Sequence, residues 1–406
     1  MHIDFSPPDI REEDIEAVTR VLRSGWITTG PETKTFEKEI SEYCGTEKTL
    51  CVNSATAGLF LILKLLGVKP GDEVIVPAYT YTASASTIVH LGATPVMIDS
   101  AEYEFHFDYE KIADAITPKT KAIVCVDLGG IMLDYDKIYS IVESKKDAFV
   151  PETDIQEKLG RIAVVCDAAH SLGARRNGIM SGNAADFTSF SFHAVKNLTT
   201  AEGGAITWKK NEKLDAEEIY KQLNCLSLHG QSKDALAKNK KGAWEYDIIS
   251  PAYKYNLTDI ASALGRSQLK RYESVLARRK EMIERYEREL SDLPVEFPKH
   301  WDDNFVSSCH LMFVKVKDAK TGEYIKEAQR NEIIIKMAEY DVATNVHYKP
   351  LPLFTAYKDL GYRIEDYPNA FNLYQCEITL PLYTKLTDEM QTYVIESFRK
   401  ALTGEV

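Results

Sequence analysis

Six short apolar runs punctuate the first half of the chain, and the segments between them carry helical patterns. The runs are Glu73 to Val76, Thr94 to Ile98, Ala122 to Val126, Ile162 to Cys166, Phe187 to Phe192 and Ala205 to Trp208. Alternation of this kind predicts a parallel or mostly parallel sheet covered by helices. Ile162 to Cys166 is apolar without alternation, as expected of a strand buried on both faces. Asp167 closes that run at the carboxyl end, where open α/β sheets place ligands. Thr258 opens a proline-free stretch reaching Leu290 with apolar residues at helical spacing, which predicts one long connecting helix. Beyond Pro294, the runs CHLMFVKV and NEIIIKMAEY and a final amphipathic segment predict a smaller α+β domain. The expected division is therefore 1–257 and 258–406, which suits a chain of 406 residues.

Two residues stand out chemically. Lys196 lies in SFSFHAVKNLTTAEGGAI, where Phe187, Phe190 and Phe192 are interleaved with Thr188, Ser189, Ser191 and His193 before a turn leads to Gly203 and Gly204. That pattern reads as a strand delivering a lysine into a pocket, with glycines that let backbone pass close by. Alone, a lysine after a strand is a solvated surface residue and an aspartate at a strand end is a helix cap. Together, Lys196 and Asp167 are the pair that pyridoxal phosphate requires. A lysine amine holds the aldehyde as a Schiff base, and a carboxylate keeps the ring nitrogen protonated. A third feature is VNSATAGLFLILKLL, where small residues precede a helical run. Such a helix start offers bare amides to a phosphate, although an ordinary Ser or Thr N-cap would look the same.

At these residues the chain resembles the DegT/DnrJ/StrS family of sugar aminotransferases, which are similar to fold type I pyridoxal phosphate enzymes. The resemblance runs in order through FSPPDI, SGWITTGPETKTFEKEI, VNSATAGLFLIL, GDEVIVPAYTYTASA, DAAHSLGA, SFHAVKNLTTAEGG, YKYNLTDIASALG, HYKP and LPLYTKLTDE. It implies an α/β fold whose large domain holds a mostly parallel seven-stranded sheet flanked by helices. It further implies pyridoxal 5′-phosphate as cofactor, with Ala55, Thr56 and Ser191 at its phosphate, Tyr81 stacked on its ring and His170 near its phenolic oxygen. Lys254 and Asn256 resemble residues that complete the phosphate cup of a neighbouring subunit, so the expected unit is a homodimer with shared sites. Thr29, in SGWITTG, and His347 and Tyr348, in HYKP, resemble segments near the sugar.

The implied reaction moves an amino group from L-glutamate, leaving 2-oxoglutarate, to a nucleotide-linked keto sugar. The acceptor resembles a 4-keto-6-deoxy or related sugar aminated at C-4, as in cell-surface polysaccharide biosynthesis. Cyclitol or aminobenzoate-type aminotransferases share the same cofactor site, and a non-catalytic cofactor-binding regulator is the rival of a different class. The presence of both Lys196 and Asp167 argues against the regulator. Three departures from the family pattern are Ala201 in place of the usual glycine, Asp127 in VDLGGIML, and a longer polar segment around Lys145 to Lys158, read as a surface excursion or a lid.

Composition excludes several alternatives. A net charge of −12 argues against nucleic-acid binding, which needs a basic surface. No stretch approaches the ~18 apolar residues of a membrane span, and the N-terminus lacks a basic segment followed by an apolar one, so a cytoplasmic protein is expected. The seven scattered cysteines show no CxxC spacing and the nine histidines no HExxH pattern, so neither disulfides nor a metal site is expected.

Overall fold

The computed structural model describes residues 1–232 and 245–404. Its centre is a seven-stranded sheet built from β1 (Thr49–Val52), β2 (Glu73–Pro77), β3 (Thr94–Ile98), β4 (Thr120–Val126), β5 (Ala163–Asp167), β8 (Phe187–Ser191) and β9 (Gly204–Trp208). Two short strands, β6 (Arg175–Arg176) and β7 (Ile179–Met180), fall between β5 and β8 and form a side ribbon with β11 (Phe305–Val306). The sheet order is β1-β9-β8-β5-β4-β2-β3, and β9 alone runs antiparallel to both of its neighbours. All six apolar runs became strands. The seventh, β1, has only four residues and no alternation to signal it.

Helices α1 (Glu12–Ser24), α2 (Pro31–Cys44), α3 (Ala55–Leu65) and α4 (Thr82–His90) belong to the first quarter of the chain. Burial on both faces of the sheet is why its strands carry few polar residues: every residue of β4, β5 and β9 is buried. One core packs α3 and α4 against Val74, Val76, Val124 and Val165. A second packs Phe36, Ile123, Val164, Phe190 and Phe192 against the opposite face. A third joins residues between Met282 and Ala401, with Ile3 added from the N-terminus, around β10 (Val295–Glu296), β12 (Met312–Val316) and β13 (Glu377–Leu380).

The stretch after Thr258 is two helices, Asp259–Lys270 and Tyr272–Glu289, rather than one. Arg271 leaves helical geometry at φ −108° and ψ 8°. No proline is responsible. The Arg271 guanidinium clamps both carboxylate oxygens of buried Asp14 at 2.8 and 2.7 Å, and the Tyr272 hydroxyl donates to the Leu172 carbonyl at 2.9 Å. Those tertiary anchors override helix propensity.

The polar segment around Lys145 to Lys158 is tied to the amino end of the sheet. The Lys121 ammonium donates to the Val150 carbonyl at 2.7 Å, and the Gln156 amide to the Leu66 carbonyl at 2.7 Å. The ligand-facing carboxyl ends of the strands lie on the opposite side, so the segment is not a lid. Among the described residues no helix is long and apolar enough to cross a membrane.

Candidate active site

A cavity of about 530 Å³ opens at the carboxyl ends of the central strands. Asp167, Lys196, His170, Ser191, Ala55, Thr56, Tyr81, His347 and Tyr348 all line it, although they come from five separate stretches of chain.

Asp167 ends β5 and is 5% exposed. Burial pushes its carboxyl above the usual range. The Ser84 hydroxyl at 2.7 Å on Oδ2, the Ala169 amide at 3.2 Å on Oδ1 and the nearby Lys196 charge pull it back down. A buried carboxylate with only two donors has lone pairs left for a cationic partner.

Lys196 is carried by the turn that follows β8. Its amide bonds the His193 carbonyl at 2.9 Å, and the Thr200 amide and Thr199 hydroxyl close the turn on the Phe192 carbonyl at 2.9 and 3.1 Å. Ala201 completes it at φ +67°, the left-handed conformation that favours glycine. Alanine at this position therefore adds the cost of a side chain in a conformation that glycine adopts freely. Burial lowers the Lys196 ammonium to about 8, against the opposing pull of Asp167. Near neutral pH, part of the population is then free amine.

At the head of α3, the Ser54 hydroxyl accepts from the Ala57 amide at 3.1 Å, leaving the amides of Ala55 and Thr56 at the open end of the helix. The close approach of β9 to this helix start depends on Gly204. A Cβ at that position would lie 2.6 Å from the Phe190 carbonyl oxygen, 2.7 Å from the Ser54 carbonyl carbon and 2.8 Å from the Ala55 amide. Ser191 projects from the neighbouring strand β8, its hydroxyl accepting from the His193 amide at 3.3 Å. Tyr81, just ahead of α4, has an aromatic ring 59% exposed beside the cavity, with Tyr348 tilted against it at 5.8 Å.

His170 is buried and held neutral, its pKa pushed well below the usual value by burial and by the charges of Lys196 and His347. Its Nδ1 accepts from the Gly129 amide at 3.1 Å, so its proton sits on Nε2, within 3.3 Å of the Tyr348 hydroxyl. His310 lies alongside, with ring centres 4.4 Å apart.

Three expected residues stand outside this cavity, and they form one cluster. The Asn256 amide donates to the Thr29 hydroxyl at 2.6 Å, Thr29 donates to the Leu257 carbonyl, and Lys254 donates to Asn256. Asp259 holds the segment in place by accepting from the Gly30 and Thr33 amides at the start of α2. Asp127 lines the cavity wall, yet its carboxylate is spent on structure: it accepts from Leu133 and Tyr135 on one oxygen and from Ser171 on the other.

Several participants escaped the sequence reading. Ser84 grips Asp167, His310 packs on His170, and Phe5 brings the N-terminal segment to the cavity wall, stacked on His347 at 5.7 Å. None sits in a run whose spacing marks it.

A lone anion site or a lone amine would leave the chemistry open. Here a buried carboxylate, an amine of lowered pKa, a bare helix start and an open aromatic face share one cavity at the carboxyl ends of a mostly parallel sheet. That donor set fits pyridoxal phosphate, and the architecture is that of the fold type I pyridoxal phosphate-dependent aminotransferases. The chain belongs to the DegT/DnrJ/EryC1/StrS aminotransferase family, which matches residues 8–399. It is 38% identical over 405 residues to the spore coat polysaccharide biosynthesis protein SpsC of Bacillus subtilis (strain 168), covering 99% of this chain and 97% of that one. The pyridoxamine phosphate form of the putative sugar aminotransferase Spr1654 from Streptococcus pneumoniae superposes with a TM-score of 0.95 at 52% identity, covering 99% of this chain and 100% of that one. PseC of Helicobacter pylori, an aminotransferase involved in the biosynthesis of pseudoaminic acid, superposes at 0.85 with 26% identity over 100% of both chains. The protein is a pyridoxal phosphate-dependent sugar aminotransferase.

Proposed function

We propose that this enzyme transfers the amino group of L-glutamate to C-4 of a nucleotide-linked 4-keto-6-deoxy or related sugar, in the cytoplasm, for polysaccharide or amino-sugar biosynthesis. The observation that carries the amino-transfer part is the lowered pKa of Lys196 in a cavity it shares with Asp167. When bound, pyridoxal phosphate supplies the aldehyde that carries nitrogen and a ring that withdraws electrons. In this reading Lys196 anchors it and then, as free amine, moves the proton at the substrate carbon. Asp167 keeps the ring nitrogen cationic. The amides of Ala55 and Thr56 with the Ser191 hydroxyl hold the phosphate, Tyr81 covers one ring face, and His170 donates Nε2–H toward the ring's oxygen. His347 and Tyr348 face the acceptor.

Lys254, Asn256 and Thr29 serve, in this proposal, the cavity of a second copy, making a homodimer with two composite sites. Their clustering away from their own chain's cavity supports that assignment. The polysaccharide role named for SpsC supports a sugar acceptor. A panel of nucleotide-linked keto sugars with glutamate, scored by product mass, tests the substrate. Amination of a 4-keto sugar is expected. Conversion only of cyclitol or aminobenzoate-type acceptors, or of none, would overturn the assignment.

A further inference from the structure

Behind His347 lies a buried carboxyl group that the reaction outlined above does not use. Glu377 and Thr379 are both 0% exposed on β13, and they reach His347 together. One Glu377 oxygen accepts from the His347 backbone amide at 2.8 Å. Its other oxygen meets the Thr379 hydroxyl at 2.5 Å, and that hydroxyl lies 2.9 Å from Nδ1 of the His347 ring. The Tyr79 hydroxyl, donating to the His347 carbonyl at 2.9 Å, and the stacked Phe5 ring fix the imidazole. Among the described residues none bonds its Nε2, and the ring lines the cavity.

With the proton of the fully buried Thr379 hydroxyl required to find an acceptor, hydrogen counting restricts this chain of groups to two arrangements. If Glu377 is ionised it only accepts, so Thr379 donates to it and must accept from Nδ1–H, leaving Nε2 bare. If Glu377 is protonated it donates to Thr379, Thr379 donates to Nδ1, and the ring proton sits on Nε2. We infer that Glu377, acting through Thr379, is a positioning residue that decides which nitrogen of His347 carries the proton, and that His347 thereby delivers a proton to the oxygen leaving the acceptor's carbonyl. This rests on the keto-acceptor reading.

The transfer balances. As the oxygen takes the Nε2 proton, the Thr379 proton passes to Nδ1 and the Glu377 proton to Thr379. The carboxyl becomes a carboxylate, the oxygen gains one proton, and the imidazole stays neutral throughout. A neutral path matters because burial and Lys196 hold the His347 imidazolium down to about 3. Burial raises Glu377 to about 8, so it holds a proton at neutral pH. The groups around it are consistent with that. Arg330 lies on its backbone side, spending Nη1 on the Tyr374 and Glu377 carbonyls. Lys315, opposite it on β12, spends its ammonium on Glu296 and the Tyr103 carbonyl. Tyr79, Tyr348 and Cys376 remain neutral there, their pKa values raised by burial.

The test is the ring tautomer of His347 in full-length holoenzyme labelled with ¹⁵N-histidine, assigned by loss of its signals in His347→Asn. The native ring should change from Nε2–H to Nδ1–H as pH rises through about 8. Glu377→Gln, whose amide can donate to Thr379, should hold Nε2–H at every pH, and because it has no acid proton to give, it should slow the acceptor half-reaction about a hundredfold. Thr379→Val should lose the pH response and Thr379→Ser should keep it. Should the valine variant not fold, the serine and glutamine variants decide. A native tautomer that stays fixed with pH in an enzyme that aminates keto sugars overturns the relay alone. A tautomer that follows Glu377 in an enzyme that accepts no keto sugar overturns the acceptor reading alone.

Discussion

Ser84→Ala should cripple the enzyme without unfolding it. Ser84 is fully buried on α4 and gives its hydroxyl proton to Asp167 Oδ2 at 2.7 Å, while its oxygen stays close to Thr80 at 2.9 Å. Alanine leaves the Asp167 carboxylate with the longer Ala169 amide bond, and burial already works against its ionised form. A hydrogen bond to a charged group contributes about 1.5–3 kcal/mol. At 1.36 kcal/mol per factor of ten, the proposed glutamate half-reaction should slow roughly tenfold to a hundredfold, because in the proposed reaction it is ionised Asp167 that would keep the ring nitrogen cationic. Rapid-mixing absorbance of the bound cofactor after addition of glutamate reads this rate directly. A rate within about twofold of native, with cofactor fully loaded, would refute the claim that Ser84 sustains the Asp167 charge.

Other consequences are separately testable. Gly204→Ala puts a Cβ against the Phe190 carbonyl on β8 and two backbone atoms at the head of α3, so it should cost about 1–3 kcal/mol in chemical denaturation and weaken cofactor binding. Unchanged affinity would show that β9 does not set the helix start. Lys196→Met should raise the melting temperature of cofactor-free protein at neutral pH. Its folded pKa of about 8 lies below the unfolded 10.5, so the native lysine costs stability below 8, and the advantage of methionine should fade as pH rises from 8 through 10.5. A constant difference across that window contradicts the assigned shift. Lys196→Ala mixed with an inactive chain altered at both Lys254 and Asn256 should regain activity, since one heterodimer site would then combine an intact Lys196 with an intact partner loop. Forced heterodimers without recovery would refute the composite site.

The parts of this fold legible from sequence are those that local pattern specifies. Apolar runs such as Ile162 to Cys166 must be buried on both faces, so the strand and the position of Asp167 at its end followed from one rule. The small-residue helix start at Ser54 to Gly58 and the strand-to-turn passage at Lys196 were legible for the same reason. Contacts made across the chain were not. Ser84 lies in an unremarkable helical segment and meets Asp167 only because β2 and β5 lie in one sheet with β4 between them. Glu377 sits in QCEITL, which reads as an ordinary strand, and its carboxyl gains meaning only from the return of HYKP beside it. The break at Arg271 likewise depends on Asp14, far away in sequence.

The central claim is that Lys196 carries the cofactor, and reduction of the holoenzyme with borohydride followed by peptide mapping tests it most directly. The cofactor's mass should appear on the peptide containing Lys196, and none should appear in Lys196→Ala. A label on another lysine, or no label on cofactor-saturated protein, would contradict it.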